Sequence, residues 1–456
     1  MKRLLTLLFL LSPYRAHAQQ IIWQDLHPDS WPATHPSTTW SSERYDDVFF
    51  LTPELGWAVH AFSVASDTIT EFGKIYKTTN GGTTWTVVRD SMGGYLRSIR
   101  FSDSLHGWVG TLGLEAAFSS SDTAILYETT DGGTTWAVAD SKIEGEKPAG
   151  LCGMWACDSD VVYICGKWDG PPYILKTTNR GTSWESIDMN AYATRLIDIY
   201  FWSRDSGIVV GGSYPEWNSS AIVLFTSDGG ESWSQRYQSP DSDGWCWKIS
   251  FPSRSVGYVS IESEDETENT TFLKTTDGGL TWVRKVITPN FFDLQGIGFI
   301  TDSIGWAGGL AVGGVYTTTN GGETWSFGNQ STYANRFRFF GDTLGYCAGG
   351  SMYKIRVNSQ VNSISAPESS DFDVQNYPNP FDNVTTIRIS LGQPEQVSLE
   401  LVDLLGRTLL SQIDGYYSAG DHEIPILFDN GSLPSGDYFV VVRAGEHVIN
   451  RHIVHR

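Results

Sequence analysis

The chain of 456 residues carries 52 Asp and Glu against 31 Lys and Arg, a formal net charge of −21. Such a surface repels phosphate backbones, which excludes nucleic acid as a partner class. With 13% aromatic residues, 47 glycines and almost no helical periodicity, the composition suits two or three β-rich domains with ample core.

The chain begins Met1-Lys2-Arg3, continues with an apolar run from Leu4 to Leu11 and reaches Ala16-His17-Ala18. This is the form of a secretory signal peptide over residues 1–18, so the mature chain is expected to start at Gln19 and to pass to the periplasm. The run is too short to span a bilayer, and no later segment does, so no transmembrane segment is expected.

From there a repeat takes over. Thr78-Thr79-Asn80-Gly81-Gly82-Thr83-Thr84-Trp85 returns in near copies ending at Trp136, Trp184, Trp233, Trp282 and Trp325, spaced 51, 48, 49, 49 and 43 residues apart. A fixed period of that length signals a propeller or solenoid. Each copy reads Ser/Thr-x-Asp/Asn-x-Gly-x-Ser/Thr-Trp, with Asn80, Asp131, Asn179, Asp228, Asp277 and Asn320 at the acid or amide position. Asn and Asp fold back onto the backbone two residues on, and the glycine accepts positive φ, so each copy predicts a tight turn between two strands. A second repeat lies upstream of each turn. It reads Phe101 then Gly107-Trp108, and recurs at Phe50/Gly56-Trp57, Phe201/Gly207, Phe251/Gly257-Tyr258, Phe299/Gly305-Trp306 and Phe339/Gly345-Tyr346, with a degenerate version from Met154 to Gly166. Seven inner strand pairs against six turns leave the last blade one strand short. The stretch Ile21-Ile22-Trp23-Gln24-Asp25-Leu26 resembles the strand after a turn and is expected to close the ring against the blade of Phe339 to Ile355.

The six turns resemble the Asp-box (BNR) repeat of sialidase-like and sortilin-like β-propellers. That resemblance implies a structural role for the six Asn and Asp residues, with the acid or amide bonding backbone amides and the Trp packed between strands. The fold expected is all-β, a seven-bladed β-propeller over residues 19–357 followed by a small Ig-like β-sandwich.

Five cysteines make no disulfide framework and no C-x-x-C. Cys152, Cys157 and Cys165 share the inner hairpin of the third blade, where one bridge and buried free thiols are both compatible with export. The acidic run Glu262 to Glu268 and the Asp241–Asp243 stretch carry Ca²⁺-type ligands, yet read as solvated loops; neither a metal nor a cofactor is expected.

Residues 358–371 turn to Ser, Asn, Pro and Glu and read as a linker. Beyond it, Tyr377-Pro378-Asn379-Pro380-Phe381, the alternating Thr386 to Ile389 and Val397 to Leu401, Asp403-Leu404-Leu405-Gly406-Arg407 and the basic end Arg451 to Arg456 resemble the type A C-terminal sorting domain of the type IX secretion system. The resemblance implies that residues 372–456 are recognised by that machinery, and that the chain is released or anchored at the outer-membrane surface.

There is no G-x-S-x-G, H-E-x-x-H, G-x-G-x-x-G or P-loop, and the Arg-Ile-Pro of sialidases is missing. The chain resembles the single, non-enzymatic propellers of the photosystem II assembly factors more than the hydrolases. No catalytic residue is assigned, and the expected function is a surface or secreted binding module for a glycan or protein; a sialidase-like or xyloglucanase-like glycoside hydrolase is the alternative. The ligand is expected on the face opposite the boxes, where loops bring Trp168, Tyr214, Trp217, Trp245, Trp247 and Phe292, and where Arg44, Arg97, Arg195, Lys248 and Arg336 lead into the innermost strands. A competing reading pairs these cations with Asp46, Asp47 and Asp198 to tie blades together.

Overall fold

The computed structural model describes residues 20–26, 39–65, 69–113, 122–167, 169–213, 219–240, 244–263, 265–310, 313–331, 333–358, 372–377, 379, 381, 383–402, 408–427, 436–445 and 447–455. The expected signal peptide lies outside them. Strands dominate, the one helical segment described being a 3₁₀ turn at Asp140–Lys142. By its contacts the chain divides into two compact units, 1–360 and 361–456.

The first unit is a β-propeller. Its described residues form seven sheets, each an antiparallel meander, with one short parallel strand, Ile143–Glu144, added to the third. The innermost strands are Thr39–Phe50, Leu96–Phe101, Gly153–Ala156, Arg195–Phe201, Trp245–Ser250, Asp293–Phe299 and Ala334–Phe340. Each packs against the next, and the seventh packs against the first. The last sheet takes its fourth strand from Gln20–Asp25, which runs antiparallel to Met352–Asn358 with Ile21 opposite Val357 and Trp23 opposite Ile355.

The Phe and Gly repeat has a steric origin. Phe50 lies directly across from Gly56, Phe101 from Gly107 and Phe299 from Gly305, and a Cβ on any of these glycines would come within 2.6 Å of the phenylalanine ring. The glycine is the bed on which the ring lies, so only glycine fits. In the third blade Ala156 faces Val162 instead, which is why the pattern fades there. The ring then meets its neighbour: Trp57 stacks on Phe101, Tyr163 on Phe201, Tyr258 on Phe299 and Tyr346 on Phe50, with centroids 3.4 to 3.8 Å apart. Four blade junctions, including the one that closes the ring, are thus glued by an aromatic pair.

All five cysteines are free thiols, so the disulfide considered for Cys152, Cys157 and Cys165 is not present. Among the described residues no helix is long and apolar enough to cross a membrane.

The second unit is a two-sheet β-sandwich. Strands Phe372–Tyr377, Val384–Leu391 and Gly420–Leu427 form one sheet, and Thr408–Tyr417, Glu395–Val402, Gly436–Ala444 and His447–His455 the other. Alternate residues of each, such as Ile387 and Ile389 against Leu399, Leu401, Val440 and Val442, share one core.

Candidate functional site

The six repeat turns are built alike. In the first, Thr78 Oγ1 donates to Asn80 Oδ1 at 3.0 Å and accepts from Gly82 N at 3.0 Å, while Asn80 Oδ1 accepts from Thr84 N at 2.9 Å. Asp131, Asn179, Asp228, Asp277 and Asn320 accept the equivalent backbone N–H four residues on, at 2.9 to 3.0 Å. Bonds from the Thr135 backbone and hydroxyl hold Asp131 down at about 2. The third turn places Arg180 at φ +57° where all five of the others have glycine. The side chains at these positions are spent on their own turns.

Four of the six turns are also gripped by the preceding blade. Lys77 Nζ donates to Gly132 O, Lys176 to Gly229 O, Lys274 to Gly321 O and Lys354 to Gly81 O, at 2.7 to 2.9 Å. These are the four junctions that carry the aromatic stacks. Tyr346 joins them across the closure, its hydroxyl donating to Pro53 O at 3.0 Å.

The axis of the propeller is charged and buried. In six of the seven innermost strands the register slips by a residue, between Tyr45 and Asp47, Leu96 and Ser98, Leu196 and Asp198, Cys246 and Ile249, Leu294 and Gly296, and Ala334 and Arg336. A bulge re-aims the side chains beside it. Here it sends Asp46, Arg97, Ile197, Trp247, Gln295 and Asn335 toward one another. Asp46 is bonded by Arg97, lies 2.9 Å from Arg44 Nε and accepts from Asn335 Nδ2 at 3.1 Å. Asp47 accepts from Val48 N and Ile99 N and lies 3.3 and 3.4 Å from Arg338 Nη2 and Arg336 Nε. Arg336 Nη1 crosses the axis to Asp198 Oδ2 at 2.7 Å, and the same oxygen accepts from Ile249 N at 3.0 Å.

Burial alone would raise the pKa of Asp46 and Asp198, but the neighbouring guanidinium groups, Arg44 and Arg97 for the first and Arg336 for the second, outweigh it and hold both below the usual carboxylate range. Burial, with Arg336 and Arg97 nearby, keeps Lys248 well below the ordinary lysine value.

The cations expected at an open mouth therefore sit inside. Arg97, Arg195, Lys248 and Arg336 are all at least 97% buried, and three of the five expected cations, Arg44, Arg97 and Arg336, ion-pair with Asp46, Asp47 or Asp198. Trp245 and Trp247, expected on a rim, are 8% and 5% exposed. Both belong to a core with Tyr95, Leu112, Cys152 and Ile197 that fills the axis on the side opposite the repeat turns. Arg195 lies over the Trp245 ring at 4.3 Å and Arg97 over Trp247 at 4.9 Å. Phe292 is likewise buried, stacked on Tyr316. Trp168, Tyr214 and Trp217 lie outside the described residues.

Behind this plug Glu262 is buried, accepting from Trp245 Nε1 at 3.2 Å and from Gln295 Nε2 at 3.4 Å. Burial, reinforced by Asp293, pushes its carboxyl up to about 8. An acid whose folded value is raised stabilises the fold fully below its unfolded value of 4.5 and loses that contribution as pH rises through 8. The melting temperature is expected to fall between pH 6 and 9, and Glu262→Gln to flatten that fall; parallel profiles for the two proteins would show that Glu262 does not ionise in this range.

The open end of the axis is the other one. A cavity of about 670 Å³ is lined by the last residues of the innermost strands and the turns that follow them. Buried Phe49, Arg100 and Ile249 mark its inner end, half-buried Trp155, Tyr200, Phe251 and Arg338 its wall, and exposed Asp302 and Asp342 its mouth. It opens on the face of the repeat turns, since the inner hairpins and those turns share one side: Gly81 N bonds Glu54 O. On the opposite face, where the ligand is expected from the sequence, bulky side chains occupy the axis. Arg100, next to Phe101 of the repeat, carries no signal of its own in the sequence.

Residues 375–456 match the secretion system C-terminal sorting domain family. Over 152 residues, 32% of the chain, the sequence is 28% identical to the photosystem II assembly lipoprotein Ycf48 of Synechococcus sp. (strain CC9902), and the match spans 40% of that protein. Similar solved structures include YCF48 bound to D1 peptide, at 15% identity and a TM-score of 0.49, covering 74% of this chain and 97% of that one. The GH74 enzyme of Niastella koreensis is another, at 13% identity and a TM-score of 0.45, covering 86% of this chain and 63% of that one. The sorting domain marks the chain for export by type IX secretion to the cell surface or beyond.

Proposed function

We propose that the propeller is the non-enzymatic, ligand-binding part of this exported protein, and that its ligand enters the axial cavity on the face of the repeat turns. The observation that carries this reading is the cavity itself, about 670 Å³ with aromatic walls and a guanidinium at its inner end. That volume suits a small molecule or the end of a chain, and apolar walls with a few polar groups are what such sites use. Binding rather than turnover is favoured by where the charges lie. Glycoside hydrolysis needs two carboxyls flanking the scissile bond, whereas the cavity's own acids, Asp302 and Asp342, stand on exposed turns at its mouth. The partial similarity to a protein named for assembly points the same way.

The test is a panel of polysaccharides and peptides presented to the full-length protein. At least one is expected to be retained, with no reducing sugar released, and Asp342→Trp at the mouth is expected to abolish retention. Release of reducing ends would establish the hydrolase alternative, and retention unchanged in Asp342→Trp would place the ligand elsewhere.

A further inference from the structure

Building on the cavity reading, we propose that this site takes the terminal residue of a glycan bearing one acidic substituent, a carboxylate or a sulfate ester, with the acid group against Arg100 and the sugar hydroxyls toward Asp302 and Asp342.

Arg100 is the reason for the anion. It is 7% exposed and lines the inner end of the cavity, yet among the described residues no carboxylate lies within ion-pair distance and its Nε has no acceptor. Its neighbours are ring faces, Trp155 at 4.2 Å and Phe49 at 4.8 Å from Cζ. Cation–π contact offsets part of the desolvation of a guanidinium but leaves its N–H donors unused. Burial, with Arg338 and Arg336 close by, pushes its pKa down to about 9, so it stays charged at neutral pH. The cavity's other lining cation, Arg338, and Arg336 behind it are both engaged. Arg338 donates to Asp47 and to Val48 O, and Arg336 to Asp198. One unpaired positive charge calls for one negative charge.

The rest of the cavity restricts what carries it. Trp155 and Tyr200, with centroids 4.2 Å apart, and Phe251, stacked on Tyr200, present rings on which a sugar can lie. Exposed Asp302 and Asp342 accept hydroxyl hydrogen bonds but repel further negative charge, which disfavours a polyanion or an acidic peptide. Beyond Arg100 the axis is closed by the Asp47, Arg336 and Asp198 pairs, so a chain cannot thread through and must enter by its end.

Isothermal titration of the full-length protein with three disaccharides of one linkage, ending in glucuronate, in 6-sulfoglucose or in glucose, tests the assignment. An acidic terminus is expected to bind about 10- to 100-fold more tightly than glucose, the gain of a charge-assisted pair. The stronger of the two acids identifies the substituent. Arg100→Gln should abolish the difference between acidic and neutral sugars, and Trp155→Ala should weaken all three. Equal binding of acidic and neutral sugars, lost in Trp155→Ala, would overturn the anion assignment and leave the cavity reading intact. No binding of any sugar, or binding indifferent to both substitutions, would overturn both. Tighter binding of a tetra-aspartate peptide than of any sugar would overturn the glycan assignment. Should Arg100→Gln fail to fold, the comparison of acidic with neutral sugar on the wild type decides alone.

Discussion

Deleting residues 20–26 is expected to lower the melting temperature by roughly 10 °C, the response of a ring that loses the strand completing its last blade. The segment pairs residue for residue with Tyr353–Asn358, and Leu26 N adds a bond to Met352 O. Trp23 meets Trp306, Phe337 and Tyr353 edge-on, with centroids 5.6 to 6.4 Å apart. Leu26 is buried, its Cδ1 so close to Gly82 that a Cβ there would come within 2.7 Å. One end of the segment thus supports the seventh blade and the other the turn of the first. Trp23→Ala alone should cost about 2–3 kcal/mol, below the usual figure for a fully buried tryptophan because the ring is only half-buried. Thermal melts of the deletion and the point variant check this, and a melt unchanged by the deletion would show that the strand does not close the ring.

Asp198→Ala is expected to destabilise the propeller by about 3–5 kcal/mol, the cost of stranding a buried cation. Its carboxylate serves Arg336 from the seventh blade and the backbone N–H of Ile249 from the fifth, with Lys248 also in its field. Removing it leaves Arg336 with Asp47 alone, which Arg338 already shares. Two controls separate this cause from simple cavity formation. The double variant Asp198→Ala, Arg336→Met should be less destabilised than Asp198→Ala, since the stranded charge goes with its partner. Raising salt should change little, because the pair is shielded from solvent ions. Denaturant unfolding gives each value, and a loss under about 1 kcal/mol would mean the axis tolerates the unpaired charge.

What the sequence disclosed and what it hid follow from range. The repeat turns are local: Asn80 bonds Thr78 and Thr84, all within seven residues, so their chemistry is written in the string. The Phe and Gly pairs are nearly as local, six residues apart across a hairpin. Closure by Ile21 to Leu26 was legible because a missing strand and a spare one could be matched. The site was not. Whether Arg97 or Trp247 faces the axis depends on a bulge in the pairing with the next strand, which no periodicity reports. Nothing in the sequence around Lys77 and Lys354 marks their partners, Gly132 and Gly81, which stand in the following blade. Arg100 and Arg338 differ in role only because one has Asp47 in reach and the other does not.

The pair of Arg336 and Asp198 joins the seventh blade to the fourth, and Arg336 also reaches Asp47 in the first. In an open stack of repeats each unit needs only its neighbours, so stability accumulates unit by unit and ends can fray. Here a chain with four, five or six blades assembled holds Asp198 without Arg336, and that pair forms only when the final blade arrives. The circle is therefore expected to form and dissolve as one cooperative event, since a detaching blade would expose the charges of blades on the far side.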